Sequence, residues 1–174
     1  MLKTIIVPTD GSAHADKAIT LAGEIAAKFD ARLVILQVLL HHSSTSELRE
    51  LCQGLGDPTE ITDQLDRVDE VIIDASAAAY APVPVPVPPA LLHQIGGLIA
   101  EKAKKTAEAR GASKVSTAVV DGKPADCIIA AVEKEKADMI VMGRRGLGNV
   151  TGLLMGSVSH KVSHLADCAC LTVK

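Results

Sequence analysis

Arg32-Leu33-Val34-Ile35-Leu36-Gln37-Val38 is the stretch on which the architecture turns, because Leu33, Val34, Ile35, Leu36 and Val38 make it almost continuously apolar. A strand with one face in water alternates apolar and polar residues. A run like this one is buried on both faces, as in parallel sheets with helices on either side. The chain immediately before it fits that layout. Thr4–Val7 is a short apolar strand, Gly11-Ser12 turns with Ser12 as a candidate N-cap, and Ala15, Ala18, Ile19, Ala22, Ile25, Ala26 and Phe29 recur at helical spacing.

Downstream, residues 41–81 interrupt the rhythm. They carry nine acids (Glu47, Glu50, Asp57, Glu60, Asp63, Asp66, Asp69, Glu70, Asp74) against two bases (Arg49, Arg67), so the chain's acidity is concentrated there. Ile61, Leu65, Val68 and Ile72 place an amphipathic helix in the segment. Val83-Pro84-Val85-Pro86-Val87-Pro88-Pro89 then favours extended polyproline II, a stiff arm. The alternation resumes with a helix over about Ala90–Arg110, with Leu91, Ile95, Leu98, Ile99 and Ala103 on one face and Gly111 as its C-cap. A strand at Val115–Val120 follows, then a helix with Pro124 in its first turn and Ile128, Ile129 and Val132 on its apolar face. A strand at Met139–Met142, a glycine-rich loop, a helix over about Ser157–Leu165 and a strand at Cys170–Val173 complete the order. This order indicates an α/β fold, a doubly wound, mostly parallel sheet of five strands with helices on both faces. It forms one domain over 1–174, with an acidic and Pro-rich insert at about 41–89.

Composition narrows the function. The 174 residues are 48% hydrophobic, enough for a core, yet hold one Tyr, one Phe and no Trp. With a net charge of −3, the chain has neither the stacking platforms nor the basic footprint of a nucleic-acid binder. Ala75–Ala100 lacks Asp, Glu, Lys and Arg, but Pro82, Pro84, Pro86, Pro88 and Pro89 forbid a spanning helix. Cys52, Cys127, Cys168 and Cys170 have no CxxC or zinc-ribbon spacing; with no signal peptide, the expectation is reduced thiols in a cytoplasm.

The chemistry concentrates in Gly143-Arg144-Arg145-Gly146-Leu147-Gly148-Asn149-Val150-Thr151-Gly152-Leu153-Leu154-Met155-Gly156-Ser157-Val158-Ser159. This segment leaves a strand and closes on a helix start, whose unpaired N–H groups and positive dipole end suit phosphate. Glycines permit close backbone approach, Ser157 and Ser159 can add hydroxyl donors, and Arg144 and Arg145 add positive charge. No Gly-Lys-Ser/Thr makes it a Walker loop, and the glycine after Gly146-Leu147-Gly148 falls one position late for a Rossmann fingerprint. By composition alone, a ligand-free surface turn is an equal reading.

The spacing Gly143-x2-Gly146-x9-Gly156-Ser157 resembles the nucleotide-binding signature of the universal stress protein family. Ile6-Val7-Pro8-Thr9-Asp10-Gly11-Ser12 is similar to that family's first strand and loop, and Val141-Met142-Gly143 to its fourth-strand exit; the likeness covers about Lys3–Leu40 and Ala90–Lys174. The resemblance implies a flavodoxin-like, adenine nucleotide alpha hydrolase-like fold with a five-stranded parallel sheet and helices on both faces, and an ATP-binding (or AMP- or ADP-binding) dimeric stress sensor or regulator with slow hydrolysis at most. In it Pro8, Thr9 and Asp10 border the ribose and adenine, and Val38 or its neighbour meets adenine through backbone. Met142 and Gly143 line the base and ribose side, Arg145 and Gly146 approach the phosphates, and Gly156, Ser157, Val158 and Ser159 cradle them. A divalent metal, Mg2+ or Mn2+, sits on the phosphates. It also implies a homodimer through the C-terminal strand, although Cys168-Ala169-Cys170 stands where the family commonly has Cys-Pro. A nucleotide-free structural dimer and a slow ATPase or autophosphorylating enzyme are the alternatives.

Other constellations read more simply. His160, His164, Cys168 and Cys170 could hold a metal, but helix surface and strand packing account for them. His41-His42 form a polar loop near the expected mouth. No Gly-x-Ser-x-Gly elbow is present. Asp10 as the phospho-acceptor of a receiver domain lacks a second acid better placed than Asp121.

Overall fold

The computed structural model describes residues 1–56, 59–81, 85–148 and 155–174. The chain divides into two compact units, Met1–Leu39 with Ile99–Lys174, and Leu40–Leu98.

The first unit is a five-stranded, all-parallel sheet in the order β3-β2-β1-β4-β5. Its strands are β1 (Thr4–Thr9), β2 (Arg32–Val38), β3 (Val115–Val120), β4 (Met139–Gly143) and β5 (Ala169–Val173). Its helices are α1 (Ala13–Phe29), the later part of α4 (Pro89–Ala109), α5 (Pro124–Glu135) and α6 (Ser157–Leu165). β2, β3 and α6 have the expected bounds. β1 runs two residues past the expected Val7, β4 one past Met142, and β5 begins one earlier, since backbone pairing outlasts the apolar run.

Both faces of the central strands are buried, as the apolar run of β2 requires. Ile5, Val7, Leu33, Ile35 and Val141 pack with Ala18, Ile19, Ala22 and Ala26 of α1 and Ala103 and Ala107 of α4. Ile6, Val34, Leu36, Ile140 and Met142 pack with Ala125, Ile128 and Val132 of α5 and Val162 of α6. The scarcity of aromatics has a steric counterpart. A Cβ at Gly23 on α1 would come within 2.9 Å of the Ala107 carbonyl, so these helices approach more closely than large side chains allow. Phe29, which the helical spacing assigns to the α1 apolar face, is 54% exposed instead. It is the last residue of the helix, and Asp30 turns the chain away in a left-handed cap.

The second unit holds α2 (Thr45–Gln53), α3 (Thr59–Ala79) and the start of α4. Ile61, Leu65 and Val68 are buried along α3, as their spacing predicts, and Leu48 and Cys52 are buried on α2. Arg49 bonds Asp66 and Asp69 at 2.7 and 2.8 Å. The Thr45 hydroxyl, then Arg49, holds the Asp69 carboxyl below its usual range. Of the proline arm, residues 82–84 lie outside the described residues, 85–88 have no regular structure, and Pro89 opens α4 at a position that needs no N–H donor. Among the described residues no helix is long and apolar enough to cross a membrane.

Candidate functional site

The strand order reverses between β1 and β4. β1 leads into α1 on one face, and β4 leads toward α6 on the other. These neighbours pair only at Ile5↔Met139 and Ile6↔Ile140, whereas β1 pairs β2 along its whole length. The β1–β4 ladder therefore stops short of the strands' carboxyl ends, at the strand-order reversal outside which open α/β sheets bind ligands. Pro8 fits this early stop. Thr4 presents its carbonyl to the β4 side, accepting from Asp138 N–H. Strand alternation turns the Pro8 nitrogen the same way, beyond the last rung, so its missing N–H costs no ladder bond.

Two loops meet beyond the end of this ladder. After β1, Gly11 (φ +80°) makes the turn, with its N–H on Thr9 Oγ1 at 3.2 Å. Asp10 Oδ1 accepts from Ser12 N–H at 3.0 Å, and Ser12 Oγ accepts from Ala15 N–H at 3.3 Å, capping α1. After β4, the chain runs so close to the start of α1 that a Cβ at Gly143 would come within 2.9–3.0 Å of backbone atoms of Arg145, His14 and Ala15. A Cβ at Gly146 would fall on Asp10 Oδ2, which accepts from Leu147 N–H at 2.9 Å. One carboxylate thus ties both loops together.

Gly156 differs from these two glycines. Its φ of −71° and ψ of 155° are open to any residue, and an added Cβ would meet only ordinary contacts, at 3.5 Å and beyond. It is the N-cap of α6, yet it brings no side chain to the first turn. Glycine is an accepted N-cap, but unlike Ser, Thr, Asp or Asn it brings no oxygen to the N–H groups of Ser157, Val158 and Ser159. The helix start is held from behind instead. Arg144 O accepts from Gly156 N–H at 2.9 Å and from Ser159 Oγ at 2.8 Å, while Arg144 N–H donates to Val173 O at 2.7 Å.

All the residues expected at the site lie at the carboxyl end of the sheet in the first unit, but their side chains are not equally available. Asp10 and Pro8 are half-buried, and Arg145, Gly146 and Ser157 are exposed. Met142 packs in the core, so only its backbone faces the loop. Thr9 is buried with its hydroxyl on Gly11. Ser159 is 2% exposed and commits its hydroxyl proton to backbone carbonyls, which leaves its N–H, not its side chain, for an anion. Val158 is half-buried at the first turn, and Val38 ends β2 beside β1 with its carbonyl accepting from Gln37 Nε2 at 2.8 Å. The tie from Asp10 to Leu147 and the anchoring role of Arg144 O carry no sequence signal. Asn149–Leu154 lie outside the described residues.

Among the described residues no group of three or more His, Cys, Asp or Glu is arranged to hold a metal ion. Cys168, beside the histidines of α6 in the sequence, has its thiol pushed up chiefly by burial, away from the thiolate a metal would need. Cys127 is shifted the same way for the same reason.

Comparison with known proteins follows this geometry. The family described as "Universal stress protein family" matches residues 1–174. The chain is 32% identical over 174 residues to universal stress protein MJ0531 of Methanocaldococcus jannaschii, covering 100% of this chain and 83% of that one. Its fold is shared with a universal stress protein crystallised in complex with cAMP (TM-score 0.60, 24% identity, 99% and 96% of the two chains). It is shared as well with the universal stress protein from Archaeoglobus fulgidus in complex with dAMP (TM-score 0.56, 16% identity, 100% and 98%).

Proposed function

This chain belongs to the universal stress protein family, and from that premise we propose that it binds an adenine nucleotide, ATP above all, between the carboxyl ends of β1 and β4. The observation that carries the reading is Gly156. Gly143 and Gly146 are glycines because the protein's own atoms crowd them, but among the described residues nothing crowds position 156, and its dihedrals suit any residue. What its missing side chain leaves is three N–H groups at a helix start, the arrangement that receives phosphate.

In this reading the phosphates sit on the N–H groups of Ser157, Val158 and Ser159, with the Ser157 hydroxyl and Arg145 alongside and Gly146 against them. The ribose lies toward Pro8, Thr9 and Asp10, and the base between the backbone of Met142 and Gly143 and the end of β2 at Val38. Mg2+ or Mn2+, when bound with the nucleotide, would offset the charge of the phosphates. The cAMP and dAMP of the two structural neighbours share the adenine base this assignment calls for.

Hydrolysis is slow at most. Asp10 is the one carboxylate of the two loops, and both its oxygens take backbone N–H groups, so no general base stands ready for water. We assign the protein to nucleotide-dependent regulation as a cytoplasmic homodimer. β5, an edge strand with Leu171 37% exposed, supports the pairing, and the free cysteines support the compartment.

Calorimetry with ATP, ADP, AMP and cAMP, each with and without Mg2+, tests the reading, alongside mass spectrometry of nucleotide carried through purification. Saturable binding is expected. Absence of heat, of thermal shift and of copurified nucleotide would leave a ligand-free scaffold in its place.

A further inference from the structure

The lone polar side chain inside the β2 run is Gln37, which is 1% exposed. Its register partners are Thr9 on β1 and Val119 on β3, so it lies between two strands near the sheet's carboxyl end. Nε2 donates to the carbonyl of Val38 at 2.8 Å, and Oε1 is buried with no partner among the described residues. Because a carbonyl can only accept, the orientation of the amide is not in doubt. A buried amide oxygen left unpaired is costly, so a strand otherwise built of aliphatics would be better served at 37 by Leu or Met unless the other end of the amide does something.

What it does follows from where β1 stops. Arg32 N–H donates to Lys3 O, and Leu39 N–H to Val120 O; alternation therefore turns the N–H and C=O of Val38 toward β1. Carried one step past its last rung, Thr9↔Gln37, the ladder would bring Gly11 N–H to Val38 O. Gly11 is not there. It has turned off into the loop and given its N–H to Thr9 Oγ1. Val38 O is thus a ladder acceptor whose backbone donor has left, and Gln37 Nε2 stands in for that donor.

We propose that Gln37 is a positioning residue for base selectivity: by holding Val38 O in its ladder direction through one lone pair, it leaves the second aimed past the end of β1 to accept from an exocyclic amino group. The inference rests on the nucleotide site proposed above and adds to it the discriminating chemistry. A base with an amino group at that edge donates to Val38 O, and a base with an oxo group there meets an acceptor facing an acceptor. ATP and ITP differ in that one group.

The test is the ratio of ATP to ITP affinity by calorimetry in the full-length wild type and in Gln37→Met, a substitution of similar volume without the donor. Gln37→Leu serves if the Met variant does not fold, as judged by circular dichroism and Tm. The expected result is a wild-type preference for ATP that falls about threefold to tenfold in the variant, while the ratio of ATP to AMP stays unchanged. A merely structural role would alter Tm, or weaken ATP and ITP together, and would not move their ratio. A preference that survives the substitution overturns the role of Gln37 and leaves the nucleotide site standing. A wild type that binds neither nucleotide overturns both.

Discussion

Helices α1 and α6 start at the same end of the same sheet, on either side of the strand reversal, and they start differently. α1 is closed by its own sequence, with Ser12 Oγ on Ala15 N–H and Asp10 braced on Ser12 N–H. α6 starts on a glycine that caps nothing, although its dihedrals and surroundings would accept a capping side chain. The closed start is a joint of the fold. The open start is fixed from behind by the Arg144 carbonyl, and its N-cap spends none of the first-turn donors, which suits a preorganised anion site.

The sharpest way to break this contrast is to close α6 as α1 is closed. Gly156→Asp puts a preferred cap on the helix, and its carboxylate takes the first-turn N–H groups and repels phosphate. We expect stability to rise by roughly a few tenths of a kcal/mol in urea unfolding while nucleotide affinity falls about 100-fold, the largest of these effects. A variant that gained stability and still bound ATP normally would remove α6 from the site.

A second pair separates glycines required by packing from those that are not. Gly146→Ala drives a methyl into Asp10 Oδ2 and severs the tie to Leu147, whereas the Cβ of Gly148→Ala meets nothing within 4 Å among the described residues. Thermal unfolding should show a loss of about 1–3 kcal/mol for the first and close to none for the second. Equal losses would mean that the Asp10 clamp carries no weight.

The smallest effects come from single hydroxyls. Ser12→Ala should cost about 1 kcal/mol of stability and leave affinity alone. Ser157→Ala, exposed at the open start, should leave stability alone and cost about 1 kcal/mol of binding to ATP by calorimetry. If both serines moved the same observable, the distinction between a structural and a receptive helix start would collapse.

Much of this arrangement was legible from local patterns. The nearly continuous aliphatics of β2 announced a strand buried on both faces, and Ser12 was readable as a cap because capping depends on a few neighbouring residues. Helix α2 escaped notice within the acidic insert, although Ser44-x-x-Glu47 spells a capping box that the structure forms in both directions. Its charges obscured a short apolar face of Leu48 and Cys52. Ser159 was readable as a hydroxyl donor near phosphate; the structure turns that proton to Arg144 O, a partner fifteen residues away.

By itself, then, the sequence determined the order of strands and helices, the parallel layout and the spacing of the glycines, because periodicity, capping and turn formation act over a few residues. Only the tertiary structure decided which glycines serve packing and which leaves a helix start open, where the β1–β4 ladder stops, and that Val38 loses its ladder donor and borrows one from Gln37. Those outcomes depend on atoms far apart along the chain, such as Asp10 and Leu147 at a separation of 137 residues, coming within hydrogen-bond reach, and no local pattern encodes such a meeting.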